Sequence, residues 1–297
     1  MFTRLRLDKA FKNARILPFN DSSKFILFSD CHRGDNSFAD DFANNRNIYF
    51  HALKHYYNHG FVYCELGDGD ELWENLTFES IFAAHQNIFL LMKKFYDEDR
   101  LHIIYGNHDM VYKNRSYVEK HLYSYFEPKT GKTKPLFEGI SIDESIILEH
   151  TESKQQLFLV HGHQADWWNY TFWRWGRFLV RVLWKPLQVF GIADPTSPAK
   201  NYKELVKVEK RFKKWIARNS NQLTIAGHTH RPRFPKPGDP AFFNDGSCVH
   251  PRSIIGLEIE NGSICLIKWY IEITDEGFLQ IVRTILEGPT KLALYKT

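Results

Sequence analysis

Five clusters of polar side chains recur along this sequence, and each follows a short apolar run. Their candidate ligands are carboxylates, an amide and imidazoles, a set that hard or borderline divalent cations such as Mn, Fe or Zn prefer. Residues at positions i and i+2 share a face of a strand, and a turn at the strand's end lets both converge on one ion. The clusters are Asp30-Cys31-His32, Gly67-Asp68-Gly69-Asp70-Glu71, Gly106-Asn107-His108-Asp109, His161-Gly162-His163 and Gly227-His228-Thr229-His230.

The spacing within these clusters suggests how the ions would be shared. Asp30 with His32, and His228 with His230, have the i, i+2 spacing, while Asp68, Asn107 and His161 add an oxygen, an amide and an imidazole. If all seven side chains serve two ions, one carboxylate must bridge them. Asp68 is the natural bridge, because it stands alone after its apolar run.

The elements that must position these clusters are strands buried on both faces. The runs FILFSD, FVYCELGD, LHIIYGNHD, LFLVHGH and LTIAGHTH do not alternate in polarity, which is typical of parallel or mixed sheets covered by helices. Open α/β sheets carry their sites at the carboxyl ends of such strands. Helical spacing follows the first and the second run. From Ser253 to Leu286 the pattern changes to antiparallel strands around Asn261-Gly262, which we expect to form a second sheet.

The ordered motifs D-x-H, GD-x-x-E, GNHD, H and GHxH resemble those of the calcineurin-like metallophosphoesterase superfamily over roughly Lys24 to Ser247. The resemblance implies an α/β sandwich of two mixed β-sheets flanked by helices, in a single domain of residues 1–297. It implies one metal held by Asp30, His32, Asp68 and His230, and a second by Asp68, Asn107, His161 and His228. It also implies that His108 is catalytic, that Glu71 orients His108, and that Asp109 closes the GNHD motif as a third catalytic-site residue.

The expected chemistry follows from two neighbouring cations. They lower the pKa of a bridging water and bind phosphoryl oxygens, so we expect hydrolysis of a phosphoester or pyrophosphate bond, most simply with two Mn ions and alternatively with Fe or Zn. A protonated His108 would stabilise the transition state or donate a proton to the leaving oxygen.

A narrower resemblance concerns the substrate. Glu71-Leu72-Trp73, the segment from Gly227 to Pro232 and a long insertion after His161 look like the UDP-2,3-diacylglucosamine pyrophosphohydrolases, which cleave a lipid-linked nucleotide diphosphate at the membrane surface. The resemblance implies that residues 164–218 form an inserted helical cap.

The cap region differs sharply in composition from the rest of the chain. Residues 164–218 hold 12 Lys and Arg against 4 Asp and Glu, a local charge of +8 in a chain of net +4, and six of the 8 tryptophans. Arg174, Arg177 and Arg181 lie on one stripe of a helix, and Arg231 follows two ligands, so all four are candidate substrate-binding residues. The apolar faces would contact an acyl chain or a bilayer, or they would simply pack on the sheet domain.

Composition excludes several classes of protein. With 43% hydrophobic and 25% charged residues, the 297-residue chain is neither disordered, collagen-like nor a coiled coil. We find no signal peptide or transmembrane run, and the 4 cysteines suggest a reducing compartment, so we expect a cytoplasmic protein, peripheral at the membrane if the cap binds lipid. A soluble phosphodiesterase or phosphatase, a nuclease, and a protein-binding scaffold are the alternatives, although the mild net charge gives no reason to expect a nucleic-acid partner.

Overall fold

The computed structural model describes residues 2–166 and 202–295, and these residues form two mixed β-sheets with helices on their outer faces. The helices among them are α1 (Phe2–Lys12), α2 (Arg46–Asn58), α3 (Phe78–Ala84), α4 (Gln86–Asp97), α5 (Arg115–Leu122) and α6 (Tyr202–Arg218). The strands are β1 (Arg15–Phe19), β2 (Phe25–Phe28), β3 (Val62–Leu66), β4 (Leu101–Ile104), β5 (Ser124–Glu127), β6 (Lys132–Pro135), β7 (Ile142–Asp143), β8 (Ser145–His150), β9 (Gln156–Val160), β10 (Thr224–Ala226), β11 (Phe242–Asn244), β12 (Ser253–Glu260), β13 (Ser263–Ile273) and β14 (Leu279–Lys291).

The larger sheet has seven strands in the order β14-β13-β12-β2-β3-β4-β7. Strands β2, β3, β4 and β7 run parallel, and β12 joins the other side of β2 in the antiparallel direction. The antiparallel C-terminal strands were therefore predicted correctly, but the expectation that they form a second sheet was wrong. They extend the sheet that β2 begins, because the buried face of β12 continues the apolar surface of β2.

The smaller sheet has the order β1-β8-β9-β10-β11. Strands β9, β10 and β11 are parallel, so the carboxyl ends of β9 and β10 lie at one edge, as do those of β2, β3 and β4. Apolar side chains from both sheets form one core between them, including Leu27, Leu66, Leu159, Ile225 and Leu257. The arrangement confirms the expected α/β fold of two mixed sheets flanked by helices.

Helices cover the two outer faces. Side chains of α2, α4 and α5 form the core on the outer face of the seven-stranded sheet. The helix expected between β3 and β4 is divided at His85, a buried residue with φ −124° whose Nε2 lies 2.9 Å from Oδ2 of Asp40. On the other side, α1 and α6 pack on the five-stranded sheet. No described helix is both long and apolar enough to cross a membrane.

Helix α6 is the described part of the expected cap. Leu205, Val208, Phe212 and Trp215 on its apolar face are buried against the five-stranded sheet, and Trp215 Nε1 donates a hydrogen bond to Asp8 of α1. For this helix, packing on the sheet domain therefore accounts for the apolar face. The first predicted cap helix, with its arginine stripe, lies at 167–201, outside the described residues.

Candidate metal centre and active site

Tight turns at the strand ends bring the predicted ligands together. Asp30, His32, Asp68, His228 and His230 all have positive φ, between 48° and 69°, a region that residues other than glycine rarely occupy. Each residue lies two or four positions after the last residue of a strand. Such strain persists where the surrounding structure fixes it, and here it turns the side chains toward one another.

Three groups of potential ligands result among the described residues, and the third, His32, Glu71 and His108, shares His32 with the first. Asp30, His32 and His230 form the first, and Nε2 of His230 lies 3.1 Å from Oδ1 of Asp30. Asp68, His161 and His228 form the second, in which Nε2 of His161 lies 3.1 Å from Oδ2 of Asp68. In each group the ligand atoms lie within 4.8 Å of one another.

Asp68 lies between the first and second groups. Its Oδ2 is 3.1 Å from Nε2 of His161 in the second group and 3.9 Å from Nε2 of His32 in the first. Its Oδ1 accepts a hydrogen bond from the backbone N–H of His108 at 2.8 Å, which fixes the carboxylate plane. A Cβ on Gly106 would lie 2.1 Å from Oδ1 of Asp68, so only glycine permits this approach of the two loops.

The tautomers of His161 and His32 indicate which ring nitrogen of each is directed at the carboxylates of Asp30 and Asp68. Nδ1 of His161 lies 2.8 Å from the carbonyl oxygen of Leu66, which can only accept, so Nδ1 carries the proton. The neutral ring then directs the Nε2 lone pair at a carboxylate oxygen of Asp68. Nδ1 of His32 likewise faces Oε2 of Glu71 at 2.8 Å, leaving its Nε2 toward Asp30 and Asp68. A cation between the lone pairs would satisfy both sides.

Several buried polar atoms at this place have no hydrogen-bond partner among the described residues. Both side-chain polar atoms of Asn107 are in this state, and the residue is fully buried. So are Oδ1 of Asp30, Nε2 of His32 and Nε2 of His161. Buried polar groups without partners are costly, and carboxylate, amide and imidazole donors suit divalent ions. The residues present therefore fit the metal ions that the sequence predicted.

Electrostatics also favour a cation. Burial alone would raise the pKa of Asp68, but His161 and His108 hold it well below its usual value. Burial alone would lower the pKa of His161, but Asp68 raises it to about 9. Without an ion, protons on the imidazoles must compensate the buried carboxylates, so a metal competes with protons for the same atoms.

His108 lies beside the ligands and is held from three sides. Its Nδ1 lies 2.7 Å from Oε2 of Glu71, its ring stacks on Trp73 at 4.2 Å, and it meets the ring of His32 edge-on at 4.6 Å. Burial would raise the pKa of Glu71, but His108 and His32 lower it to about 2. Glu71 is therefore a carboxylate that orients both the predicted catalytic histidine and a predicted ligand.

Asp109 has a different place from the one expected of a catalytic side chain. Its Oδ1 accepts from the backbone N–H of Gly106 at 2.5 Å and its Oδ2 from that of Gly69 at 2.9 Å. The carboxylate thus joins the loops after β3 and β4 beneath the ligands. It is a positioning residue for Asp68 and Asn107, and it is in none of the described ligand groups.

Three supporting residues were not singled out from the sequence. Ser29 and Asp245 lie behind Asp30, and Ser29 Oγ is 2.5 Å from Oδ2 of Asp30 and 2.7 Å from Oδ1 of Asp245. Arg33 is buried between Glu65 and Asp70, with Nη1 2.6 Å from Oε2 of Glu65 and Nε 2.8 Å from Oδ1 of Asp70. Asp70 belongs to one of the five clusters and Arg33 directly follows another, but the sequence does not show that these two side chains pair.

The predicted substrate-binding residues divide into two sets. Arg231 directly follows His230 and is half-buried at the same edge of the sheets. Arg174, Arg177 and Arg181 lie outside the described residues. In the described part of the cap region, Arg211 of α6 donates from Nη1 to the carbonyl oxygen of Ala165 at 2.8 Å, which joins the helix to the loop after His161.

Comparison with known proteins decides the family. The family model described as calcineurin-like phosphoesterase matches residues 23–232. The chain belongs to the calcineurin-like phosphoesterase family. It is accordingly a metal-dependent phosphoesterase, and the family implies divalent metal ions at the ligand groups described above.

Two further comparisons complete the picture. A solved structure titled crystal structure of Chaetomium thermophilum Vps29 is similar to this phosphoesterase at 12% identity and a TM-score of 0.36, over 89% of this chain and 97% of that chain. A search of curated proteins finds no match.

Proposed function

We propose that this phosphoesterase hydrolyses a phosphoester or pyrophosphate bond with two divalent ions, Mn first and Fe or Zn as alternatives. The observation that carries the proposal is the set of unsatisfied lone pairs at the strand ends. In the neutral ring, Nε2 of His161 is an acceptor, as is Oδ2 of Asp68, 3.1 Å away. Two acceptors at that distance require a proton or a cation between them, and a metal ion would take the place of that proton.

We propose the ligands that the family resemblance implies. Asp30, His32 and His230 would hold one ion, His161, His228 and Asn107 would hold the other, and Asp68 would contribute to both. When bound, the ions would supply a hydroxide near neutral pH and neutralise charge on the phosphoryl oxygens. His108 stands at the open side of the cluster, where Glu71 fixes its Nδ1, so its Nε2 is the atom that would hold a proton for the leaving oxygen.

The finer proposal concerns the substrate. We propose an amphiphilic nucleotide-linked diphosphate, such as UDP-2,3-diacylglucosamine, bound at the inner face of the membrane. The Glu71-Leu72-Trp73 and Gly227–Pro232 motifs and the basic, tryptophan-rich region 164–218 support it. Because the apolar face of α6 is buried on the sheet, that face does not contact an acyl chain in this proposal.

Asp68 and Asn107 offer the sharpest test of the site. Asp68→Asn and Asn107→Ala should abolish Mn-stimulated hydrolysis of a generic aryl phosphodiester, because each removes a ligand oxygen at the bridge or at the second ion. The exposed Asp275→Asn and Asn87→Ala make the same chemical changes away from the site and should keep full activity. Wild-type rates in Asp68→Asn would show that the assigned centre is not the catalytic one.

Substrate class needs a separate measurement. Hydrolysis of the lipid-linked diphosphate should exceed that of its soluble head group and rise with mixed micelles or liposomes. A nuclease would instead cleave DNA or RNA with strongly salt-dependent binding. Equal rates on lipidated and soluble diphosphates would remove the lipid part of the proposal and leave the metal-dependent hydrolase intact.

A further inference from the structure

We propose that this phosphoesterase forms a symmetric dimer in which strand β14 pairs antiparallel with β14 of a second copy, around a twofold axis at Val282. Strand β14 ends the seven-stranded sheet and pairs only with β13 among the described strands. An edge strand presents a row of unpaired N–H and C=O groups, which is a template for another strand.

The C-terminal part of β14 has features that block such pairing, whereas its first seven residues do not. The β13·β14 register shifts at Leu286, and Pro289 lacks an N–H, so the end of the strand is protected. From Leu279 to Ile285 the ladder is regular, with Leu279 opposite Ile273 and Ile285 opposite Ile267. This stretch contains no Pro, Gly or Lys, and its midpoint is Val282.

The phase of the ladder identifies which backbone groups face outward. Thr274 N donates to the carbonyl oxygen of Phe278 at 2.8 Å, so Thr274 and Phe278 form a hydrogen-bonded pair. Hydrogen-bonded pairs alternate along an antiparallel ladder, which places Gln280, Val282 and Thr284 in bonds to β13. The backbone groups of the residues between them therefore point to the free edge. These residues are Leu279, Ile281, Arg283 and Ile285.

A twofold axis at Val282 joins these outward groups to one another. Leu279 would pair with Ile285 of the second copy and Ile281 with Arg283, giving about eight main-chain hydrogen bonds, two for each pair. Val282 would face its own copy in a non-hydrogen-bonded pair, with the two Cα atoms about 4.5 Å apart.

The side chains match in this register. Leu279 is 72% exposed and Ile285 is 43% exposed, and pairing them removes both from water. Gln280 would pair with Thr284, polar with polar, while the exposed Phe278 and Leu286 would meet at each end. Cross-strand pairs of this kind stabilise an antiparallel ladder relative to alanine pairs.

Charge does not oppose the association. Arg283 is the one charged residue from Leu279 to Ile285, and its guanidinium forms an ion pair with Glu258 of β12, across β13 and away from the free edge. The nearby turn carries Asp275 and Glu276, which disfavour an anionic lipid surface as the occupant of the apolar tip. A second copy is thus the partner that fits both the apolar pattern and the neutral edge.

Engineered disulfides test the register directly. Val282→Cys should form a disulfide-linked dimer under mild oxidation, because the expected Cα separation lies within the roughly 4.4–6.8 Å that a disulfide spans. Thr284→Cys should not, since four residues of offset place its two copies about 13 Å apart. The natural cysteines are buried and free, so the wild-type chain serves as the blank.

Sedimentation velocity measures the association itself. The wild-type protein should be a dimer. Ile285→Lys should raise the dimer dissociation constant at least tenfold, because each copy would place one lysine, with loss of its hydration, where the two β14 strands meet. Phe126→Lys replaces a similarly exposed apolar residue in the β5–β6 hairpin and should leave the dimer unchanged. Circular dichroism of both variants should match that of the wild type.

Three results would overturn the proposal. They are a wild-type protein that stays monomeric at high concentration, a dimer that Ile285→Lys leaves intact, and equal cross-linking of Val282→Cys and Thr284→Cys. Flotation of a monomeric wild-type protein with lipid vesicles, lost in Ile285→Lys, would assign the apolar edge to a membrane instead.

Discussion

The hydroxyl of Ser29 touches two carboxylates and has only one proton to give. It lies 2.5 Å from Oδ2 of Asp30 and 2.7 Å from Oδ1 of Asp245. Because Oδ2 of Asp30 also accepts from the backbone N–H of His228 at 2.8 Å, Asp30 behaves as the ionised member. The second contact is then a hydrogen bond in which a protonated Asp245 donates to Ser29.

Burial agrees with this assignment. Desolvation and the negative charge of Asp30 raise the pKa of Asp245 well above its usual value, whereas His230 and His32 outweigh burial at Asp30 and hold the pKa of that carboxyl well below its usual value. The two aspartates are neighbours with opposite protonation states. Asp30 is the candidate ligand, and Asp245 supports it from behind as a neutral hydrogen-bond donor.

Replacement of Asp245 by Asn should therefore have little effect on the protein. Asp245→Asn keeps a neutral side chain with a donor, so we expect metal affinity, turnover and melting temperature close to those of the wild type. Asp30→Asn removes a ligand charge and should abolish turnover. Parallel assays of the two variants check this, and a collapse of activity in Asp245→Asn would show that Asp245 is ionised in the folded protein.

Glu71 is the residue through which the ligands and His108 are coupled. Its carboxylate contacts Nδ1 of His32 and Nδ1 of His108, so Glu71→Gln replaces a double acceptor by a single one. We expect metal affinity and turnover to fall about ten- to a hundredfold, the usual loss for a residue that orients a metal ligand. Metal titration by calorimetry, with turnover measured at saturating metal, separates the two losses.

The exposed pair of Glu79 and His121 provides the matched control. Glu79 Oε1 lies 2.6 Å from Nδ1 of His121, and neither residue belongs to a described ligand group. Glu79→Gln should leave metal affinity and turnover at wild-type values. Unchanged metal affinity in Glu71→Gln would mean that His32 does not depend on Glu71 for its orientation.

The candidate ligands were accessible from the sequence, and the residues that support them were not. Each candidate ligand sits in a short motif after an apolar run, so its type and its place at a strand end can both be read. Asp245 pairs with Ser29 across 216 positions of sequence. No local pattern encodes such a contact, because it depends on how β11 and β2 are brought together by the two-sheet packing.

At the scale of elements, His102, the second residue of β4, is a histidine that the fold keeps neutral. Burial and the adjacent Arg15 lower the pKa of His102 to about 4, and Nη2 of Arg15 lies 2.9 Å from Nδ1 of His102. Arg15 precedes the rest of β1, so this contact links an end strand of the five-stranded sheet to the seven-stranded sheet. The ring accepts a hydrogen bond from the guanidinium, which a protonated ring could not do.

This histidine should make stability depend on pH. The unfolded chain protonates His102 near its ordinary pKa of about 6.5 and the folded chain only near 4, so protons favour unfolding. The stabilisation is present above 6.5 and is lost as the pH falls to 4, by up to about 1.4 kcal/mol per pH unit. His102→Gln should flatten the pH dependence of the unfolding free energy across that window.

Urea unfolding at several pH values measures this difference. His51→Gln, at an exposed position of α2, should retain the wild-type slope. A His102→Gln protein whose stability falls with pH as steeply as that of the wild type would contradict the assignment.

Element types were predicted better than their assembly. The apolar runs and the Asn261-Gly262 turn correctly indicated strands, since both turn residues have positive φ as a tight hairpin requires. Whether β12 to β14 extend the first sheet or form another depends on which edge of β2 is free. That is a property of the tertiary structure, as is the helix break at His85 imposed by its bond to Asp40.

At the scale of the whole molecule, the two sheets meet at the ligand groups. Asp30, Asp68 and Asn107 follow strands of the seven-stranded sheet, and His161 and His228 follow strands of the five-stranded sheet. In the sequence, the basic region 164–218 begins shortly after His161 and ends shortly before His228. The concentrated positive charge of this region is therefore connected, through both of its ends, to candidate ligands of the metal centre.

Ions at this junction should therefore stabilise the packing of one sheet on the other. A metal at a hundred times its dissociation constant adds about 2.7 kcal/mol to the unfolding free energy, so a chelator should lower the melting temperature measurably. Asp68→Asn loses the bridging carboxylate and should melt at the same temperature with Mn or with EDTA. Differential scanning calorimetry of both proteins, with and without the chelator, makes the comparison. Two results would show that the packing of the sheets does not depend on ions at these ligands. One is a wild-type melting temperature that EDTA does not change, and the other is an equal decrease in the melting temperature of Asp68→Asn.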